Sequence, residues 1–411
     1  MNASSSGPAR AAVEAAIRES YGRLIAFLSA RTHDVAAAED ALGEAVVAAL
    51  AGWPVDGIPR VPEAWLLTVA RRRLIDRSRR ERTFLRSSAA LEAATASWYE
   101  MGLPDPIPDQ RLQLLFVCTH PAIDPAMHTP LMLQTVLGMD AANIARAFLV
   151  SPATMGQRLA RAKNKIRHAG IAFEIPEALE LPQRLGAVLS AIYAAYGNGW
   201  EDAAGTEPRA RGLAEESIWL ARVLRDCLAD EPEVRGLLAL MLHCEARRFA
   251  RRTPQGRYVP LSEQDPKCWI TPMIAEAERE LAVAVRARRI GRFQLEAAIQ
   301  SVHADRCRSG HTEWTAIADF YEQLVQLTHS LGARVGHAAA VAEARGPEAG
   351  LAILDQLEPD WVASYQPYWA VRAHVLKSLK RDDEARRAYD TAIGLAEDQA
   401  VRDFLLERRN A

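Results

Sequence analysis

The sequence predicts an all-α chain: a short helical module, a linker, a second helical module ending in a helix-turn-helix, and a long helical C-terminal half. Three observations lead there. Apolar residues recur at helical spacing along most of the 411 residues, and no segment alternates convincingly as a strand does. Helix start and stop signals punctuate that spacing. Residues 140–168 then show two helices joined by a tight turn, with Ile144, Ala145, Phe148 and Leu149 on one face of the first. Ser151-Pro152 breaks the pattern and restarts it, because serine suits an N-cap and proline the first helical position.

Residues 1–9 are expected to form a frayed tail. Helix one follows, with Tyr21, Leu24, Ile25 and Leu28 at i, i+3, i+4 and i+7. Residues 32–34 make a turn. The next helix, 35–50, turns Ala38, Leu42, Ala45, Val46 and Ala49 inward and Glu39, Asp40 and Glu44 outward. Residues 52–62 form a Gly/Pro-rich loop. A third helix starts near Pro62-Glu63; its first half is apolar, with Trp65, Leu66, Leu67, Val69 and Ala70, and its second half is dominated by arginine. Residues 87–110, Ala/Ser-rich and then Pro-rich, are the best linker in the chain. Helices at 111–119 and 130–138 lead into the helix-turn-helix.

Composition bounds the function. Hydrophobic residues make up 49% and charged residues 25%, an ordinary globular balance. The net charge of −2 argues against a general polyanion binder, so local patches must carry any nucleic-acid contact. Two exist. Residues 71–86 hold eight arginines against Asp76 and Glu81, and residues 151–168 hold five Lys or Arg and no acid. In the latter, Met155, Leu159, Ala162 and Ile166 form an apolar stripe, with Thr154, Arg158, Arg161 and Lys165 on another face. A basic helix with free polar side chains near its N-terminus, preceded by a helix and a turn, is the pattern of a DNA-binding helix-turn-helix. The bland alternative is a charged solvent face on an ordinary helical hairpin.

Five scattered cysteines, Cys118, Cys227, Cys244, Cys268 and Cys307, include no C-x-x-C pair and point to a reducing cytosol. The start of the sequence shows no apolar signal region, and no run of about 18 apolar residues occurs. A cytoplasmic protein without membrane contact is expected. His303, Cys307 and His311 form a candidate metal-ligand face, yet no fourth ligand is evident, so no metal site is assigned. No cofactor motif is read. G-x-x-x-x-G-K-[ST], G-x-S-x-G and H-E-x-x-H are all missing, and an enzyme is not expected.

The segments AAAEDALGEAVVAAL, PEAWLLTVARRRLIDRSRR and LMLQTVLGMDAANIARAFLVSPATMGQRLARAKNKIR, in that order, resemble an extracytoplasmic-function sigma factor of bacterial RNA polymerase. The resemblance is continuous over residues 10–170. It implies region 2 at 10–86, a linker at 87–110 and region 4 at 111–170, with core RNA polymerase and promoter DNA as partners. By this resemblance Glu39, Asp40 and Glu44 lie on a helix docking the clamp helices of the β′ subunit. Trp53, Trp65, Arg71, Arg72, Arg73, Arg77 and Arg80 serve the −10 element, whose opening needs unstacked bases held on a basic, partly aromatic surface. Ser151, Thr154, Gln157, Arg158, Arg161 and Lys165 serve the −35 element in the major groove, and region 4 touches the β flap.

Residues 171–411 are expected to be helical throughout, with runs at 181–196, 211–228, 233–251, 272–289, 294–307, 312–330, 336–344 and 349–357. In the hairpin 369–395, Trp369, Ala373, Leu376, Ala385, Tyr389 and Ala392 match a tetratricopeptide pattern. HPAIDPAMHTPLML, EARRFARRTPQGRYVPLSEQDPKCW, GRFQLEAAIQSVHA and RGPEAGLAILDQLEPD resemble the C-terminal extension (DUF6596-type) of one sigma-factor subgroup. That resemblance implies a tetratricopeptide-like extension governing activity in place of a separate anti-sigma factor, and a YCII-related protein as partner. Residues 247–252, followed by Gly256, Gln264, Asp265 and Trp269, read either as a ligand or partner pocket or as a loop tied down by Arg–acid pairs. The competing reading of the whole chain is a helical-repeat scaffold with a vestigial DNA-binding module. An Arg-rich helix and an intact helix-turn-helix together argue against it.

Overall fold

The computed structural model describes residues 6–84, 110–148, 150–177, 179–201 and 208–411. Among them every regular element is an α- or 3-10 helix, apart from one isolated bridge between Arg252 and Tyr258. The all-α expectation holds. The chain forms two compact units, Met1–Ala195 and Tyr196–Ala411.

The first unit begins with α1 (Ser6–Thr32), α2 (Val35–Asp56) and α3 (Pro62–Phe84). Helix α1 already covers residues 6–9, expected as tail, and Ala9 is buried. Its apolar stripe buries Leu24, Ile25 and Leu28 completely. Asp34 caps α2 by accepting a hydrogen bond from the Ala37 N–H at 3.0 Å, a contribution of about 1 kcal/mol. Helix α2 outlasts the expected 35–50 because its last turn closes through Gly57 N–H to Trp53 O at 3.1 Å. Gly57, at φ +91°, then ends it in a conformation that favours glycine. Helix α3 opens on Pro62 and buries Leu66, Leu67, Ala70 and Leu74. Glu63 ties it to α1 through Arg23 and through the Ser20 hydroxyl, which donates at 2.6 Å.

Helices α4 (Arg111–Cys118), α5 (Pro125–Thr135), α6 (Ala141–Ala147) and α7 (Pro152–His168) follow. Sequence reasoning started α5 at Pro130; it starts at Pro125, where Asp124 accepts from the Ala126 N–H at 3.0 Å. The expected linker, apart from Gln110, lies outside the described residues. Helix α8 (Leu181–Glu201) spans the boundary between the units, and its buried Leu185, Val188, Leu189 and Ile192 belong to the first.

The second unit is built on α9 (Pro208–Cys227) and α10 (Pro232–Ala246). Helix α10 is nearly all core, with Val234 and residues 236–246 buried. It packs against α11 (Thr271–Arg286) and α12 (Arg292–Ser309). Gly236 permits the α12 contact: a Cβ there would lie 2.7 Å from Gln294 N. The expected helix 233–251 stops at Ala246 and gives way to a 3-10 turn, Arg248–Arg251. Then come α13 (Trp314–Thr328), α14 (Leu331–Arg345), α15 (Pro347–Leu354), α16 (Pro359–Val362), α17 (Gln366–Ser378), α18 (Asp382–Leu395) and α19 (Gln399–Asn410). In the α17–α18 hairpin Ala373, Leu376, Ala385, Tyr389 and Ala392 share one core, with Trp369 packed against it.

Candidate nucleic-acid interface

Helix α7 is held at its start by Ser151, whose Oγ accepts from the Thr154 N–H at 3.2 Å and lies 2.8 Å from the Thr154 hydroxyl. Both side chains are thereby occupied in the cap. The apolar stripe Met155, Leu159, Ala162 and Ile166 is buried, and that burial fixes the rotation of the helix. Gln157, Arg158, Arg161 and Lys165 are left exposed on one side, with Thr154 half-buried. No acid stands on α7 to neutralise them. The short α6 precedes it, capped by Asp140, which accepts from the Asn143 N–H at 2.8 Å. This is the two-helix geometry that the sequence predicts.

The arginines of α3 sit on a second basic face. Arg72, Arg73 and Arg77 are exposed and Arg71 is half-buried. Burial lowers the pKa of Arg71. Arg73 reaches Glu44 at 3.3 Å and Arg77 reaches Asp40 at 3.2 Å, each pair about half-exposed. Such pairs are worth little and are screened by salt, so both arginines can exchange a carboxylate for a phosphate at small cost. The backbone of α3 includes Arg80; its side chain lies outside the described residues.

Two expectations change. Trp53, expected on the surface that holds unstacked bases, is 3% exposed. It packs edge-on against the half-buried Trp65, ring centroids 5.5 Å apart, as core aromatics do. Glu39, expected to face outward with Asp40 and Glu44, is largely covered by Lys163 of α7, which donates to its Oε2. Burial pushes the pKa of Glu39 up, opposed by the Lys163 charge.

Sequence reasoning missed an apolar component. Val47 and Leu50 stand exposed on α2, at 66% and 44%, and Val55, Ile58 and Val61 continue the exposed apolar surface toward α3. The signal was available: Val47 and Leu50 fall off the stripe formed by Leu42, Ala45 and Ala49. Exposed apolar groups beside acids form a surface suited to a protein partner.

The candidate metal face is not assembled. Helix α12 ends at Ser309, and Gly310 at φ +77° takes His311 off the helix. His303 instead stacks edge-on against Trp314, and His311 pairs with Glu313 at 2.5 Å.

The loop 247–269 is tied to α19. Arg252 pairs with Asp398, Arg408 with Glu263, and Arg257 with Glu407 at 2.8 Å. Tyr258 packs edge-on against Phe404. Arg306 of α12 donates to the carbonyls of Ser262 and Gln264 at 2.9 and 2.7 Å.

Two segments of the chain match known sequence families. Residues 16–84, spanning most of α1 to α3, match Sigma-70 region 2. Residues 184–285 match a family of unknown function, DUF6596. Uncharacterized protein R00370 of Rhizobium meliloti (strain 1021) is 39% identical over 364 residues, covering 87% of this chain and 86% of the relative. No solved structure matches. The N-terminal module is thus of the sigma-70 class, whose members act in transcription initiation. With Sigma-70 region 2 at its N-terminus and DUF6596 in its second half, the chain is consistent with an extracytoplasmic-function-type sigma factor carrying a C-terminal extension, and it belongs to one family with its Rhizobium relative. Region 2 implies binding to core RNA polymerase and to promoter DNA. No described helix is long and apolar enough to cross a membrane.

Proposed function

We propose that the protein directs promoter-specific initiation through three surfaces. Helix α2 docks the clamp helices of polymerase with Asp40, Glu44 and the exposed Val47 and Leu50. The α3 face of Arg71, Arg72, Arg73 and Arg77 holds the −10 strand, with Trp65 supporting it from the core. Helix α7 reads the −35 element in the major groove through Gln157, Arg158 and Arg161, while Lys165 contacts phosphate and region 4 touches the β flap. The second unit, read as tetratricopeptide-like, modulates this activity, with a YCII-related protein acting on it as the subgroup resemblance implies. The polymerase supplies the chemistry, so no catalytic residue is assigned.

The observation that carries the reading is the division of α7. One face is buried by Met155, Leu159 and Ile166, and the other presents Gln157, Arg158 and Arg161 to solvent with no acid among them. Side chains in that position reach base edges, and bidentate arginines discriminate a base by about 1–3 kcal/mol. The test is co-elution of the full chain with bacterial core polymerase. Wild type forms a one-to-one complex and Glu44→Arg weakens it about tenfold. A chain that never co-elutes, or a Glu44→Arg form that binds equally well, overturns the docking assignment.

A further inference from the structure

The arginines around the loop 247–269 fall into two groups. Arg252 and Arg257 pair with Asp398 and Glu407 of α19, and the buried Arg248 pairs with the buried Glu245. Arg247 and Arg306 have neutral partners instead. Arg247, the residue after α10, is 8% exposed. It donates to the His243 carbonyl at 3.3 Å and to the side-chain oxygen of Gln300, with Cys244 Sγ at 3.9 Å. Arg306 of α12 donates to the backbone carbonyls of Ser262 and Gln264. Neither guanidinium meets a carboxylate among the described residues.

The two arginines belong to one place. Arg306 lies over the Trp269 ring, 5.2 Å from its centroid. The backbone brings Trp269 to Arg247, because the Ile270 N–H donates to the Ala246 carbonyl at 2.9 Å. His303 of α12 feels both charges: burial, then Arg247 and Arg306, push its pKa down. Burial also lowers the pKa of Arg306, and the Arg247 charge adds to that, opposed by Cys307. Trp269 is 4% exposed, and its Nε1 is buried without a hydrogen-bond partner among the described residues. Buried charges are ordinarily paired and buried donors bonded. Here like charges and an unmet donor sit together, and the protein brings no carboxylate to them. His303, Gln300 and Arg306 are half-buried, so the place opens to solvent.

We propose that the junction of α10, the loop 247–269 and α12 binds a phosphate-type oxyanion, held by the guanidiniums of Arg247 and Arg306 and the indole N–H of Trp269. Guanidinium forks match the spacing of oxyanion oxygens, and such charge-assisted bonds are stronger than those to the neutral oxygens that the arginines now hold. The indole nitrogen can only donate, so an acceptor is what it lacks. A negative charge relieves the repulsion between the two arginines, which a neutral ligand would not. Free phosphate and the phosphate group of a small ester offer the same oxygens. This assignment is independent of the promoter-reading surfaces of the first unit.

The test titrates the full chain with inorganic phosphate and, in a second arm, with glycerol 3-phosphate, by isothermal calorimetry at constant ionic strength. Sodium chloride is the comparison. One-to-one saturable binding of either phosphate, without a response to chloride, is expected; the tighter of the two identifies the source. Arg247→Gln and Arg306→Gln should each weaken binding about tenfold or more. Trp269→Phe keeps the ring and removes the donor, and should weaken it about threefold; it keeps the site testable if an arginine variant does not fold. Phosphate should raise the melting temperature of wild type and not that of Arg247→Gln, a difference that a merely structural arginine would not produce. No saturable binding of either phosphate overturns the site. So does binding that chloride reproduces, or that all three substitutions leave unchanged.

Discussion

Trp53 at the end of α2 packs edge-on against Trp65 near the start of α3, with ring planes 72° apart and centroids separated by 5.5 Å. The pair locks the turn between these helices and so positions the arginines that follow on α3. Replacing Trp53 by alanine removes a buried aromatic and is expected to cost roughly 3–5 kcal/mol. Arg72→Ala, at an exposed site, should leave stability within about 0.5 kcal/mol. Denaturant unfolding of the two variants checks this. Equal stabilities would place Trp53 outside the core.

Arg158→Ala combined with Arg161→Ala is expected to lower promoter-dependent transcription at least tenfold, from the discrimination energy of about 1–3 kcal/mol per lost contact. The melting temperature should stay within about 2 °C, because neither side chain belongs to the buried stripe of α7. Run-off transcription and thermal unfolding of one preparation separate the two effects.

The second unit should lose stability in acid. His243 is fully buried, with both ring nitrogens lacking a hydrogen bond among the described residues. Burial, reinforced by the Arg247 charge, pushes its pKa down to about 3. Burial and the charges of Arg247 and Arg306 push that of His303 to about 4. Glu278 stands 3.4 Å from His243, but it is half-exposed and does not offset the burial. Both rings are neutral in the folded protein, whereas the unfolded chain binds protons below about pH 6.5. Stability is therefore fully present above that pH and falls as pH drops toward 4, by up to about 1.4 kcal/mol per pH unit for each ring. Urea unfolding between pH 8 and pH 4.5 measures the slope, and His243→Gln should make it shallower by about half. A slope unaffected by that substitution would contradict the assignment.

Asp398 caps α19 by accepting from the N–H groups of Ala400 and Val401 at 2.8 and 3.3 Å, and it pairs with Arg252 of the loop. Asp398→Ala removes both contacts, worth together about 1–3 kcal/mol. Amide exchange should accelerate at 399–410 and around Tyr258 while α18 keeps its protection. Acceleration confined to α19 would mean that the loop does not depend on it.

The helices that sequence reasoning placed best are those with a cap followed by an apolar stripe. Ser151-Pro152 marks the start of α7 to the residue, because the serine hydroxyl and the proline ring act within one turn. The Trp369 to Ala392 spacing likewise marks the α17–α18 core. Local signals failed where distant contacts decide the outcome. Helix α10 stops at Ala246 although the expected helix ran on to residue 251, and α19 falls in the stretch expected to be helical but without bounds of its own, because Asp398 is an inconspicuous cap after a repeat that appeared finished. In the candidate interface, the exposed arginines of α7 follow from the helical wheel. The burial of Trp53 depends on where α3 folds back, and the capture of Glu39 by a lysine 124 residues away depends on how the helices close on one another. Neither relationship has a signature within one helix.

Run-off transcription with bacterial core polymerase on genomic DNA fragments tests the central claim most directly. The full-length protein should produce discrete start sites that core polymerase alone does not, and their yield should collapse when Arg158 and Arg161 are both alanine. Core polymerase that binds the protein yet starts no new transcripts, or start sites indifferent to the two arginines, would contradict it.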